Sequence, residues 1–114
     1  KIKKINPKAI VLIIGPGDMA KKEKTELVSF SYIEKVRDEL KRAAFETNSC
    51  FWDMYLNMGG ENSIIEWANK SPSLAAKDYI HLTNAGARKV ADFFIEDLIH
   101  EYDNFKKFKN EKKN

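Results

Sequence analysis

The longest apolar run of the chain is Ala9-Ile10-Val11-Leu12-Ile13-Ile14. Six such residues, rich in Ile and Val, read as a parallel strand covered on both faces. The run stops at Gly15-Pro16-Gly17-Asp18, a cluster of turn formers. Residues 19–30 are polar and lysine-rich and read as a surface loop or excursion. Ser31-Tyr32-Ile33-Glu34 then has the form of a capping box. The apolar positions Ile33, Val36, Leu40, Ala43 and Ala44 recur at helical spacing and predict a helix to about Thr47. Ser49-Cys50-Phe51-Trp52-Asp53 follows as a second short strand, aromatic and ending in a carboxylate. Strand, helix, strand implies a right-handed crossover and a parallel pair.

Beyond it, Met54 to Met58 suit a short helical turn before Gly59-Gly60. Ser63-Ile64-Ile65-Glu66 is a second capping-box pattern, opening a helix through Trp67 to about Lys70, and Pro72 ends it. A final helix from about Thr83 carries Ala87, Val90, Ala91, Phe94, Leu98 and Tyr102 on one stripe and reaches toward Phe105. The fold class is therefore α/β. Two parallel strands and three helices do not enclose a buried sheet, because sheets usually have roughly four to six strands and an isolated pair is marginal. Further strands are expected from another chain or segment.

Composition sharpens this picture only slightly. At 114 residues the chain is the size of one domain, and 43% hydrophobic with 32% charged residues describes an ordinary soluble globular protein. No apolar run approaches the roughly 18 residues of a membrane span. Cys50 is the single cysteine, which excludes an internal disulfide. The net charge of +3 comes largely from lysines at the two ends, which read as solvated tails and not as a nucleic-acid surface. The chain starts at Lys1 with no initiator Met or signal-peptide pattern, as a piece of something longer would.

The candidate chemistry is concentrated in Lys77-Asp78-Tyr79-Ile80-His81-Leu82-Thr83-Asn84-Ala85-Gly86. A carboxylate three residues before an imidazole can share one side of a tight turn with it. A general-base histidine needs such a partner to fix its tautomer and steady the imidazolium. The nucleophile is missing: Ser29, Ser31, Ser49, Ser63, Ser71 and Ser73 all lack the strand–sharp turn–helix setting of a hydrolase serine. The loop after the first strand, with Asp18, lies where ligands gather in open α/β sheets. A phosphate cradle is excluded there, since no Gly-Lys-Ser/Thr follows. Gly59 and Gly60 offer backbone freedom and room for a substrate. His100, among Glu96, Asp97 and Glu101, reads as a surface residue, with no second histidine or cysteine at ligand spacing.

Asp78-Tyr79-Ile80-His81-Leu82-Thr83-Asn84-Ala85-Gly86 before an amphipathic helix resembles the last conserved block of the SGNH (GDSL-type) hydrolases. Val11-Leu12-Ile13-Ile14-Gly15-Pro16 and Phe51-Trp52-Asp53 fit the same order. Met58-Gly59-Gly60-Glu61-Asn62-Ser63, with Trp67, resembles a subgroup of bacterial GDSL-like lipases and acylhydrolases associated with carbohydrate or peptidoglycan esters. The resemblance spans roughly residues 9–100. It implies a flavodoxin-like α/β/α sandwich, incomplete on this chain, and a serine esterase mechanism that needs no cofactor and no metal. In that mechanism Asp78 orients His81, and His81 deprotonates the serine and later protonates the leaving alcohol. The family's Gly-Asp-Ser block, its oxyanion-hole glycine and its Gly-x-Asn-Asp block precede the matching part and are absent here.

The resemblance therefore casts residues 1–104 as the carboxyl-terminal portion of one SGNH domain and residues 105–114 as a disordered basic tail. Asp78 and His81 are the catalytic candidates, and Asp18, Gly59 and Gly60 the substrate-binding ones. The implied partners are the absent amino-terminal segment and a small or carbohydrate ester, in a periplasmic or secreted setting. The competing expectation is a non-catalytic binding module whose Asp-His pair is structural.

Overall fold

A computed structural model describes residues 1–113. A short helix α1 (Ile2–Ile5) leads into strand β1 (Leu12–Ile14). A hairpin, β2 (Ala20–Glu23) and β3 (Glu26–Ser29), precedes helix α2 (Ile33–Glu46) and strand β4 (Cys50–Trp52). Helices α3 (Met54–Met58), α4 (Ser63–Ala68) and α5 (Asn84–Glu111) complete the chain. β1 and β4 pair in parallel, Leu12 beside Cys50, Ile13 beside Phe51 and Ile14 beside Trp52, with α2 as the crossover. The α/β class and the parallel strand–helix–strand unit are as expected.

Residues 19–30, expected as a loop, instead form the antiparallel β2–β3 hairpin, with Lys24 and Thr25 at its tip. The sequence does not mark the hairpin, because half of its strand residues are charged, none alternate with apolar ones, and its tip lacks Asn or Gly. Lys24 takes the left-handed backbone there, at φ 56°.

Neither predicted capping box forms. α2 starts after Tyr32 with no side-chain cap, and Glu34 accepts a hydrogen bond from the Tyr55 hydroxyl at 3.3 Å. α4 starts after Asn62, also uncapped locally. Its Ile64 N–H donates to Asp18 Oδ2 at 3.1 Å, so a carboxylate 46 residues away does the work the sequence assigned to Ser63. The final helix runs on through Glu111, where a disordered tail from residue 105 was expected; Asn114 lies outside the described residues. Among the described residues no helix is long and apolar enough to cross a membrane.

The core does not lie on the parallel pair. It gathers Ala20, Met58, Ile64, Trp67, Ala68 and Ala75, with Leu74, Leu82, Val90 and Phe93 packed against them. Trp67 sits in this core against Phe93. Trp52 meets Phe94 edge-on at 5.2 Å and donates its indole N–H to Asp97 at 2.8 Å, which seats α5 across β4.

β1 is covered much less than its apolar run predicts: Ile10 is 87% exposed and Ile14 54%. Cys50 N–H donates to Val11 C=O and Gly15 N–H to Trp52 C=O, both at 2.8 Å. Hydrogen bonds of a parallel strand alternate in direction, so the N–H and C=O groups of Leu12 and Ile14 point to the opposite, open edge. The strand is apolar on both faces and unpaired along one side.

The amino terminus of α5 is the tightest joint. A Cβ on Gly86 would fall 1.8 Å from the Leu74 carbonyl oxygen, so the helix approaches that strand of backbone only because residue 86 has no side chain. Gly86→Ala should lower the unfolding free energy by about 1–3 kcal/mol, as overpacking does. Urea denaturation would read this as a lower midpoint, and an unchanged midpoint would contradict the assignment.

Candidate active site

The site loop hangs from a short ladder between α4 and α5. Thr83 Oγ1 donates to the Ser73 carbonyl at 2.6 Å, and Thr83 N–H donates to Leu74 C=O at 3.1 Å. Ala75 and Leu82 form an antiparallel bridge, and Ala76 N–H donates to His81 C=O at 2.8 Å. Thr83 also caps α5 by accepting from Gly86 N–H at 3.1 Å. Residues 77–80 are left to close a tight turn, at whose tip Tyr79 adopts φ 58°, the left-handed region. Lys77 Nζ donates to Ala68 C=O at 2.9 Å and to Asn69 Oδ1 at 3.0 Å, pinning the turn to the end of α4. On the other side Ala20 N–H donates to Tyr79 C=O at 2.9 Å, tying the turn to the hairpin.

This turn brings Asp78 and His81 together. Asp78 Oδ1 accepts from the Ile80 and His81 N–H groups, each at 3.0 Å, which fixes the carboxylate plane. Its other oxygen, Oδ2, lies 2.7 Å from His81 Nδ1. The hydrogen bond with the imidazole, joined by the two backbone N–H groups, lowers the Asp78 pKa to about 2. An ionised carboxylate only accepts hydrogen bonds, so in the neutral ring Nδ1 carries the proton and Nε2 keeps a free lone pair. The His81 side chain is 78% exposed, and Nε2 has no hydrogen-bond partner among the described residues.

Such an arrangement can take a proton at Nε2 from a group presented to it. Within the described residues no serine is that group. Ser29 Oγ donates to Asp18, Ser49 Oγ pairs with Thr47, and Ser73 Oγ donates to backbone carbonyls. Ser63 is buried with its hydroxyl unpartnered.

An open groove of about 500 Å³ runs between the turn and the hairpin, lined by Ala20, Lys21, Lys22, Leu27, Asp78 and Tyr79 among others. The hairpin residues were missed by sequence reasoning for the reason given above: nothing in residues 19–30 marks a strand. Asp18 does not face this groove. It is 1% exposed, and Oδ2 accepts from Ser29 Oγ at 3.0 Å as well as from Ile64 N–H, so it braces the hairpin against α4 from inside. Gly59 and Gly60 also lie away from the groove lining. Both are left-handed, φ 118° and 79°, and they terminate α3, Gly60 N–H donating to Tyr55 C=O at 2.9 Å. The structure thus unites Asp78 with His81 and leaves Asp18, Gly59 and Gly60 as parts of the frame.

No family model matches the chain, and no curated protein matches it. Among solved structures it is similar to a peptidoglycan O-acetylesterase, with a TM-score of 0.77 and 28% identity. The match covers 87% of this chain and 28% of that one, so the chain spans less than a third of the esterase's length. The α/β arrangement built around the β1–β4 pair is shared with an esterase.

The Asp78 environment has a direct test. The folded-state pKa lies below the ordinary 3.8, so its stabilising contribution is full above that value and is lost as pH falls toward about 2. Carbon-detected NMR of the Asp78 carboxyl should give a titration midpoint near 2. A midpoint at or above 3.8 would show that the bond to His81 does not hold in solution.

Proposed function

We propose that this chain supplies the acid–base half of a serine ester hydrolase, of the SGNH type, acting on O-acetyl esters of a carbohydrate such as peptidoglycan in a periplasmic or secreted setting. The observation that carries the reading is the Asp78–His81 pair, Oδ2 to Nδ1 at 2.7 Å with the far ring nitrogen open. The similarity to a peptidoglycan O-acetylesterase supports the choice of reaction and of ester.

In this reading a serine hydroxyl on a further polypeptide segment lies against His81 Nε2. As its oxygen bonds to the acetyl carbonyl carbon, its proton passes to Nε2, and the Asp78 carboxylate steadies the imidazolium. Collapse of the tetrahedral intermediate breaks the ester C–O bond, and the departing sugar oxygen takes that proton. Water then attacks the acetyl-serine, again through Nε2, and releases acetate. The oxyanion donors come with the serine segment, since stabilising the developing charge is a large part of the acceleration.

The same segment has a place to dock. The outward N–H and C=O groups of Leu12 and Ile14, flanked by exposed apolar side chains, match the addition of another parallel strand. A sheet extended there buries the run that the present pair leaves open, and its strand ends lie on the Gly15 side. Until that segment is present, Nε2 has no proton to take and the chain by itself should turn over acetyl esters negligibly.

Grafting tests this. Residues 9–100 placed in the aligned segment of the similar O-acetylesterase should yield a folded chimera that hydrolyses a chromogenic acetyl ester. His81→Ala or Asp78→Asn should then reduce kcat by roughly 10⁴-fold with the circular dichroism unchanged. A folded, active chimera indifferent to His81→Ala would overturn the assignment and favour a structural Asp-His pair.

A further inference from the structure

The groove beside the site turn carries charge that the proposed chemistry does not use. In an antiparallel hairpin, directly opposite residues share a face and successive residues alternate between faces. The β2–β3 register sets Ala20 with Ser29 and Lys22 with Leu27 on one face. It sets Lys21 with Val28 and Glu23 with Glu26 on the other. The first face looks onto the groove, since Ala20, Lys22 and Leu27 all line it. The second holds both carboxylates of the hairpin. Lys21 borders the groove but places its ammonium on that far face, 3.3 Å from Glu23 Oε1 and 5.8 Å from the Phe30 ring centroid.

The pleat therefore leaves Lys22 on the groove side with no ion-pair partner among the described residues. On the turn side, Lys77 Nζ donates to Ala68 C=O and Asn69 Oδ1, both neutral, so its charge is also uncompensated. The acid in the lining is Asp78, whose oxygens already accept from two backbone N–H groups and face His81 Nδ1. Two cations without counter-ions beside one groove reinforce each other's field and draw in an anion.

The neighbouring site says which anion. Asp78 lines the groove and holds His81, so a substrate whose acetyl group meets Nε2 lays its adjoining part along the groove. Leu27 and Tyr79 give that part apolar surface, and about 500 Å³ is room for a sugar unit. We infer that the groove binds a sugar bearing a free carboxylate, with Lys22 as the residue that recognises the carboxylate. Lys77 adds to the field. The choice of a sugar rests on the esterase reading, whereas the preference for an acid comes from where the pleat puts the charges.

Two-dimensional ¹H–¹⁵N NMR of the whole chain at low salt tests this with methyl β-D-glucuronide and methyl β-D-glucoside. The two differ only in carrying a carboxylate or a hydroxymethyl group on the ring. The glucuronide should shift the amides of Lys22, Leu27 and Tyr79, and the glucoside should bind roughly fivefold more weakly. Lys22→Gln should weaken the glucuronide by roughly fivefold, leave the glucoside unchanged, and keep the remaining spectrum in place. Sodium acetate, a carboxylate without a sugar, should barely move these amides. Equal binding of the two glycosides, an equal response to acetate, no shift at all, or a glucuronide affinity indifferent to Lys22→Gln overturns the inference. Binding is read here without turnover, so this inference and the esterase reading fail separately.

Discussion

The candidate site depends on the ladder that joins residues 73–76 to residues 81–83. Four short contacts fix both ends of the Lys77–Ile80 turn: Thr83 Oγ1 to Ser73, Thr83 N–H to Leu74, the Ala75–Leu82 bridge, and Ala76 to His81. With its ends fixed, the turn has little choice but to fold its one carboxylate inward onto its own N–H groups. That leaves Asp78 Oδ2 aimed at the imidazole. Gly86 is the condition for the ladder, because any Cβ there would push α5 off Leu74. A site that is more than three-quarters exposed at its histidine is nonetheless held by a half-buried backbone ladder.

The frame around the turn is assembled by long-range polar contacts. Asp18 illustrates this: one carboxylate oxygen serves the hairpin through Ser29 and the start of α4 through Ile64 N–H. Asp97 plays a similar part for α5, receiving the Trp52 indole N–H. Each links segments separated by tens of residues and so leaves no local pattern.

That explains what could be read from the chain and what could not. The parallel pair, its crossover helix and the spacing of Asp78 and His81 are local or periodic, and they were legible. The hairpin was not, since Ala20–Ser29 lacks both alternation and a Gly or Asn tip. The capping boxes at Ser31 and Ser63 were legible and misleading, because Glu34 and Ile64 N–H found tertiary partners. The apolar run at residues 9–14 signalled a covered strand, and within the described residues that cover is largely missing. A run that asks for two neighbours and has one marks a surface as clearly as an exposed patch does.

The proposed chemistry depends on which nitrogen of His81 carries the proton. If Asp78 holds Nδ1–H, neutral His81 is preset with Nε2 free for a serine. Long-range ¹H–¹⁵N correlation of the imidazole nitrogens in the neutral ring reports the tautomer directly. Nδ1 should be protonated and Nε2 bare. A ring with its proton on Nε2 would contradict this, because that nitrogen could then accept nothing.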